Sequence, residues 1–316
     1  MRRALPLLVT FLFAIMSMSN SVALPAVESN NGPVFGGQHS AVANQSTQSA
    51  EISSLPAIAE DFTATWCENC VKAEAALDEL ESEGLLTKYE FHVAPDLDDS
   101  GFLQPEVTSH LESRYGYQRG PPLVAINGIM TKNGVVPDSD SLVSDYRNMM
   151  DAQLNLVDAT SSFTWTPSAY CECDLGDNMG IISWSLEANL SAYPEGILNV
   201  NAWIVEQSTE FNGGSNGKNT YHDLVRTIID LGNDPQGSAN ITIPNAYDGD
   251  DLEIHLVYIV DIPDPVDEDP TPITEDETNS NRLPGFTLSL VICAILGAVV
   301  QTRKSKTIGL IWQRLR

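Results

Sequence analysis

Asp61-Phe62-Thr63-Ala64-Thr65-Trp66-Cys67-Glu68-Asn69-Cys70 is the stretch on which the reading of this chain turns. The apolar run from Pro56 to Phe62 reads as a short buried strand. Glu68 to Glu83 reads as a helix, with Val71, Ala75, Leu77 and Leu80 along its inner side and Gly84 as its stop signal. The Cys-x-x-Cys therefore falls at a strand-to-helix junction. Two thiols at that position are a redox signal when the surrounding domain alternates strands and helices. Cys67 is expected at the first turn, where unpaired backbone N–H groups and the helix dipole favour a thiolate. That makes it the attacking sulfur. Cys70, one turn further in, is the resolving one.

The alternation continues downstream. Tyr89–Val93 reads as a strand and Pro105–Arg114 as a helix with Val107 and Leu111 on one face. Leu123–Ile126 is a third strand, closed by the turn Asn127-Gly128. Ile129-Met130 leads to a second turn at Asn133-Gly134 and a short strand at Val135-Val136. Ser139 or Asp140 then caps a long helix carrying Leu142, Val143, Tyr146, Met149, Met150 and Leu154.

This order, with Trp66 before Cys67 and an apolar strand before that, resembles the thioredoxin fold over Leu55 to about Asp158. The expected architecture is an α/β thioredoxin-like domain over residues 55–159, followed by an all-β sandwich domain over 160–262. Asp61 matches the family's buried carboxylate, which helps deprotonate the second cysteine. Gly120-Pro121-Pro122-Leu123 matches its cis-proline loop, with Pro122 the better fit of the two prolines. The resemblance implies a catalytic set of Cys67, Cys70 and Asp61, a substrate groove shaped by Trp66, Pro121 and Pro122, and no cofactor. Its implied partners are protein thiols and disulfides.

Glu68-Asn69 stands between the cysteines where many thioredoxins have Gly-Pro. A carboxylate beside the thiolate opposes the dipole, so a moderately reducing or isomerising site is expected rather than a strong oxidant. An inert disulfide remains the plainer alternative. A zinc half-site needs a second ligand pair. His92 and His110 stand outside any motif, and Asp96, Asp98 and Asp99 lack the spacing of a calcium loop. No metal is expected.

After Thr160 the texture changes to strand-like alternation. Ile181–Leu190, Leu198–Glu206, Ala239–Ile243 and Leu252–Val260 read as strands of a small antiparallel sandwich. Phe211 to Lys218 is rich in Gly and Asn and reads as a mobile loop. Trp203-Ile204-Val205-Glu206, this loop, His222 and Arg226 resemble the downstream domain of Omp28-like outer-membrane proteins. For His222 and Arg226, a packed edge segment and a partner-binding role both stay open. Cys171-x-Cys173 can pair only with strain. A local loop disulfide is the plain reading, and a relay to Cys67 and Cys70 the sharper one.

Both ends carry targeting features. Met1-Arg2-Arg3, the apolar Leu5–Met18 and Ser21-Val22-Ala23 read as a signal peptide over residues 1–23, which implies a secreted chain. Residues 24–54, rich in Ser, Asn, Gln, Gly and Ala, read as a flexible spacer. Residues 263–282 combine Pro, Thr and carboxylates as an extended acidic stalk. A hydrophobic anchor segment over 283–302 and a basic tail over 303–316 follow. Pro284-Gly285-Phe286, the short apolar run and the basic cluster resemble archaeal carboxy-terminal sorting signals, which implies proteolytic removal and lipidation; a plain transmembrane anchor is the alternative. Cys293 in that run reads as a small hydrophobe. Either way, an extracytoplasmic protein tethered at the cell surface is expected. The 316 residues carry a formal charge of −27, which argues against nucleic-acid partners. Two function classes remain: a thiol–disulfide oxidoreductase, and a non-catalytic surface-binding protein on the same fold.

Overall fold

The computed structural model describes residues 25–93, 102, 105–116, 120–156, 158–171 and 175–263. The expected signal peptide, acidic stalk and carboxy-terminal segment lie outside them, as do Cys173, Cys293, Asp96, Asp98 and Asp99. Among the described residues no helix is long and apolar enough to cross a membrane.

The fold is mostly β, in two sheets with few helices. Chain order is β1 (Val27–Glu28), β2 (Val34–Ala41), β3 (Ser46–Glu51), β4 (Ala57–Thr63), α1 (Cys70–Ser82), β5 (Leu86–His92), α2 (Pro105–Tyr115), β6 (Leu123–Ile126), β7 (Met130–Asn133) and α3 (Leu142–Met149). Then follow β8 (Thr160–Pro167), β9 (Met179–Glu187), β10 (Ile197–Glu210), β11 (Thr220–Gly232), β12 (Gln236–Thr242) and β13 (Leu252–Asp261). The larger sheet runs β1-β7-β6-β4-β5-β11-β10-β13-β2, and the smaller runs β12-β9-β8-β3.

Strand β4 is the hinge of the arrangement. It pairs in parallel with β5, setting Asp61 beside Glu90, and antiparallel with β6, setting Asp61 beside Val124. Alternation along β4 sends Ala59 to one face, where Leu77, Leu80, Val124, Ile126, Tyr146 and Met149 form a core under α1 and α3. Ile58 and Phe62 point to the other face, where they join Phe91, Val107, Leu111, Trp203, Val205 and Val257 beneath α2. Along β10 the same alternation sends Val200, Ala202 and Ile204 against Phe163, Trp165 and Ile182 of the smaller sheet.

Several sequence expectations need correction. The two expected domains are not separate: β11 pairs in parallel with β5 through Leu224 and Glu90, and the described residues form one compact unit. The sandwich is present, but one of its layers is the continuation of the larger sheet. Residues 24–54 are not simply a flexible spacer, because they supply β2 and β3. β2 pairs with β13 and buries Val34 and Phe35; β3 pairs with β8. Composition undercounts such a segment, since its backbone hydrogen bonds come from strands already built. Gly36 sits at the register shift between β2 and β13 with φ of 110°, and a Cβ there would lie 2.8 Å from the Leu256 carbonyl oxygen. The strand expected at Val135-Val136 is instead Met130–Asn133, directly after the Asn127-Gly128 turn. The last helix is capped by Ser141, whose hydroxyl accepts from the Ser144 N–H, and ends at Met149 rather than near Leu154. β8 and β11 are strands beyond those the sequence predicts.

Candidate functional site

Cys67 and Cys70 are joined by a disulfide at the amino-terminal end of α1. The helix begins at Cys70, two residues later than the sequence suggests, so Cys67 lies in the turn before it. The Cys70 N–H donates to Cys67 Sγ at 3.2 Å. This is the contact expected of a helix start that favours negative charge on that sulfur. Cys70 is fully buried and Cys67 keeps 5% of its surface exposed, so Cys67 is the more accessible residue of the pair. Trp66 is half-buried and packs with Ala64 against the cysteine pair. Glu68 and Asn69 face solvent.

The Pro121–Pro122 bond is cis, matching the expectation for Pro122. Pro122 is buried, Pro121 half-buried, and the Pro122 carbonyl accepts from the Gly134 N–H at 2.9 Å.

Asp61 is fully buried on the face of β4 that α1 covers. Among the described residues, neither of its carboxylate oxygens has a hydrogen-bond partner. Burial, and then the negative charges of Glu74 and Glu90, push its pKa well above the ordinary aspartate range. Glu74, four residues into α1 from Cys70, accepts a hydrogen bond from Thr63 Oγ1 at 3.0 Å. Burial and Glu90 also raise its pKa, against the pull of Lys218. Glu90 stays ionised: burial opposes this, but Lys88, 3.2 Å from Glu90 Oε1, His92 and Lys218 hold its pKa far below the usual value. Lys88 is itself buried and also reaches Asp78 at 2.5 Å and Asp223 at 3.7 Å. Carboxyls outnumber ammonium groups here, and for Asp61 burial and the neighbouring carboxylates outweigh the pull of Lys88 and Lys218, which favours its protonated form.

The sequence did not foretell the role of the loop between β10 and β11. Expected as mobile, it is docked against the cysteine segment. The Ser215 and Asn216 N–H groups both donate to the Thr65 carbonyl, at 2.9 and 3.0 Å. Asn216 Oδ1 accepts from the Lys218 N–H and from the Tyr221 hydroxyl, which turns the loop inward. Lys218 Nζ then forms an ion pair with Glu74 and lies 3.6 Å from Glu90 Oε1. The Gly and Asn content that suggested mobility instead permits close approach: a Cβ on Gly214 would lie 2.9 Å from the Thr65 carbonyl oxygen.

The other residues singled out in the sequence lie away from the disulfide's immediate contacts. His110 is a packing residue, hydrogen-bonded to Glu60 at 2.6 Å and stacked on Phe91. Arg226 lies 3.5 Å from Glu206 and against the Tyr247 ring, while His222 is exposed. Cys171 is disulfide-bonded, but the proposed partner, Cys173, falls outside the described residues. Among the described residues no group of His, Cys, Asp and Glu side chains is arranged to hold a metal ion.

No family model and no curated protein matches the chain. Two solved structures are similar to parts of it. One is HBP35 of Porphyromonas gingivalis, at 16% identity and a TM-score of 0.41, covering 66% of this chain and 64% of that one. The chain thus spans a little under two thirds of that protein's length. The other is a protein from Agrobacterium tumefaciens, at 14% identity and a TM-score of 0.35, covering 60% of this chain and 78% of that one.

Proposed function

We propose that this chain is a thiol–disulfide oxidoreductase acting on protein disulfides, built on a thioredoxin-like unit. The observation that carries this reading is the Cys67–Cys70 disulfide at the start of α1, together with Asp61, buried on the face of β4 that α1 covers and with its pKa raised. The order β5-β4-β6-β7 with α1 and α3 on one face and α2 on the other supports the thioredoxin-like assignment. The cis Pro122 supports the substrate groove implied by that resemblance.

The chemistry is an exchange of two electrons between dithiol and disulfide. In the reducing direction, the Cys67 thiolate attacks one sulfur of the substrate disulfide, and the other substrate sulfur leaves as a thiolate. Cys70 gives its proton to the Asp61 carboxylate and attacks Cys67 Sγ. The mixed disulfide breaks, the second substrate thiolate leaves, and the Cys67–Cys70 bond forms. The exposed Glu68 beside Cys67 works against a strongly stabilised thiolate, so the potential belongs nearer the reducing end, about −270 to −180 mV, than the roughly −120 mV of a strong oxidant. The secretory signal and carboxy-terminal anchor read from the sequence give this activity an extracytoplasmic, surface-tethered setting.

The test is turnover of insulin or scrambled ribonuclease. Cys67→Ser is expected to abolish it, and Cys70→Ser to accumulate a mixed disulfide at Cys67. A wild-type protein inert at every redox poise would falsify the proposal and leave a binding role on the same fold.

A further inference from the structure

The loop between β10 and β11 brings a cation from the downstream half of the chain to Glu74 of α1, one helical turn beyond Cys70. Lys218 is held from three directions: its own N–H donates to Asn216 Oδ1 at 3.0 Å, its ammonium pairs with Glu74, and the same ammonium stands 5.2 Å from the centre of the Tyr221 ring. Glu74 is one helical turn beyond Cys70. Its other oxygen accepts from Thr63, which shares a face of β4 with Asp61. Glu90, 3.6 Å from Lys218, is the direct lateral neighbour of Asp61 in the parallel pairing of β4 and β5. The Lys218 side chain is 19% exposed, so its charge acts through a partly desolvated path where water screens it weakly.

We propose that Lys218 is a positioning residue for thiol–disulfide exchange: by pairing with Glu74 of α1 and Glu90 of β5, it sets how readily Asp61 exchanges a proton with Cys70. The inference rests on the redox reading of Cys67 and Cys70 given above. The charged and titratable groups facing Asp61 are Glu74 from α1, Lys88 and Glu90 from β5, Lys218 from the loop and Tyr146 from α3, with His92 next to Glu90. Lys88 is anchored by Asp78 and Asp223 as well as by Glu90. Among the described residues, Lys218 forms ion pairs with Glu74 and Glu90, the two carboxylates whose charges raise the Asp61 pKa. Removing its charge leaves both carboxylates less compensated, and their repulsion holds the proton on Asp61 to higher pH.

The step can be followed with dithiothreitol. Its thiolate attacks Cys67 Sγ, the Cys67–Cys70 bond breaks, and Cys70 leaves as a thiolate that takes the Asp61 proton. The second dithiothreitol thiolate closes the cyclic disulfide and releases Cys67. Two electrons pass from the reagent to the protein.

The experiment compares full-length wild type, Lys218→Met and Lys218→Arg. It measures the carbon-detected NMR titration of the Asp61 carboxyl in the oxidised protein and the pH profile of reduction by dithiothreitol. Lys218→Met is expected to move the Asp61 midpoint, and the matching inflection of the rate profile, upward by about one pH unit, a tenfold change in the ionisation ratio. Lys218→Arg is expected to restore both. Coincident titrations and profiles for wild type and Lys218→Met, with the variant folded by its melting curve, would overturn the role of Lys218 alone. A wild type that never exchanges with thiols or protein disulfides would overturn the redox reading and this inference with it. If Lys218→Met fails to fold, Lys218→Gln carries the comparison, judged by the same two readouts.

Discussion

Asp223 shows most directly what the buried charges do to the chain. Its φ of 56° is a conformation that Asn and Asp tolerate better than other side chains. Its carboxylate sits 3.7 Å from Lys88, yet burial and the charge of Glu81, with smaller effects from Glu90 and Asp78, push its pKa up to about 7. The folded chain therefore holds this proton more tightly than the unfolded chain, whose aspartates titrate near about 3.9. The contribution to stability is fully present below that value and is lost as pH rises through about 7. Glu60 runs the other way: burial opposes ionisation, but His110 and Arg114 hold its pKa down, so its contribution is present above the unfolded value and is lost as pH falls. Asp223→Asn keeps the backbone conformation and removes the titration. Relative to wild type, the variant is expected to gain about 2–4 kcal/mol between pH 4 and pH 9 in urea unfolding. A difference that stays flat with pH would show that Asp223 is not held protonated.

At the scale of elements, what the sequence disclosed and what it hid divide along one line. β4, α1, β5, α2 and β6 carry their own apolar periodicity, and Cys67, Cys70, Asp61 and Pro122 are marked by local spacing; all of these were legible. β2, β3, β8 and β11 draw their stability from partners far away in the chain, and no local pattern announces that. The loop from Phe211 to Lys218 is the extreme case, since every signal in it reads as freedom. Its order comes from two N–H groups meeting the Thr65 carbonyl and one ammonium meeting Glu74. Gly214→Ala tests this, because its Cβ would lie 2.5 Å from the Tyr221 hydroxyl as well as against Thr65. Loss of loop docking is expected to speed amide exchange at Ser215 and Asn216 about tenfold, with a global cost of roughly 1 kcal/mol. Gly217→Ala is the control: it meets nothing within 4 Å, has φ of 88°, and bears only backbone strain. Equal exchange at Ser215 and Asn216 in wild type and Gly214→Ala would mean the loop is not held by these contacts.

For the whole molecule, the shared sheet makes a claim about cooperativity. Trp203 on β10 is fully buried and meets Tyr89 and Phe91 of β5 edge-on, at 5.0 and 5.2 Å between ring centres, and His110 of α2 at 5.8 Å. Two steps along the same strand, Val205 enters the same core, while Ala202 and Ile204 enter the core of the sandwich. A strand whose two faces belong to two cores cannot leave one without disturbing the other. A chain cut to residues 55–159 would also bare the β5 edge that β11 covers, an unpaired edge prone to association. That fragment is expected to stay unfolded or to aggregate. The full chain is expected to unfold in one transition, with tryptophan fluorescence and far-ultraviolet circular dichroism coinciding along a urea titration. Trp203→Ala should shift both probes together by about 3–5 kcal/mol, since it empties a site between the two halves. Two resolved transitions, or a shift confined to one probe, would mean that the halves fold independently and that the loop carrying Lys218 docks onto a unit already complete without it.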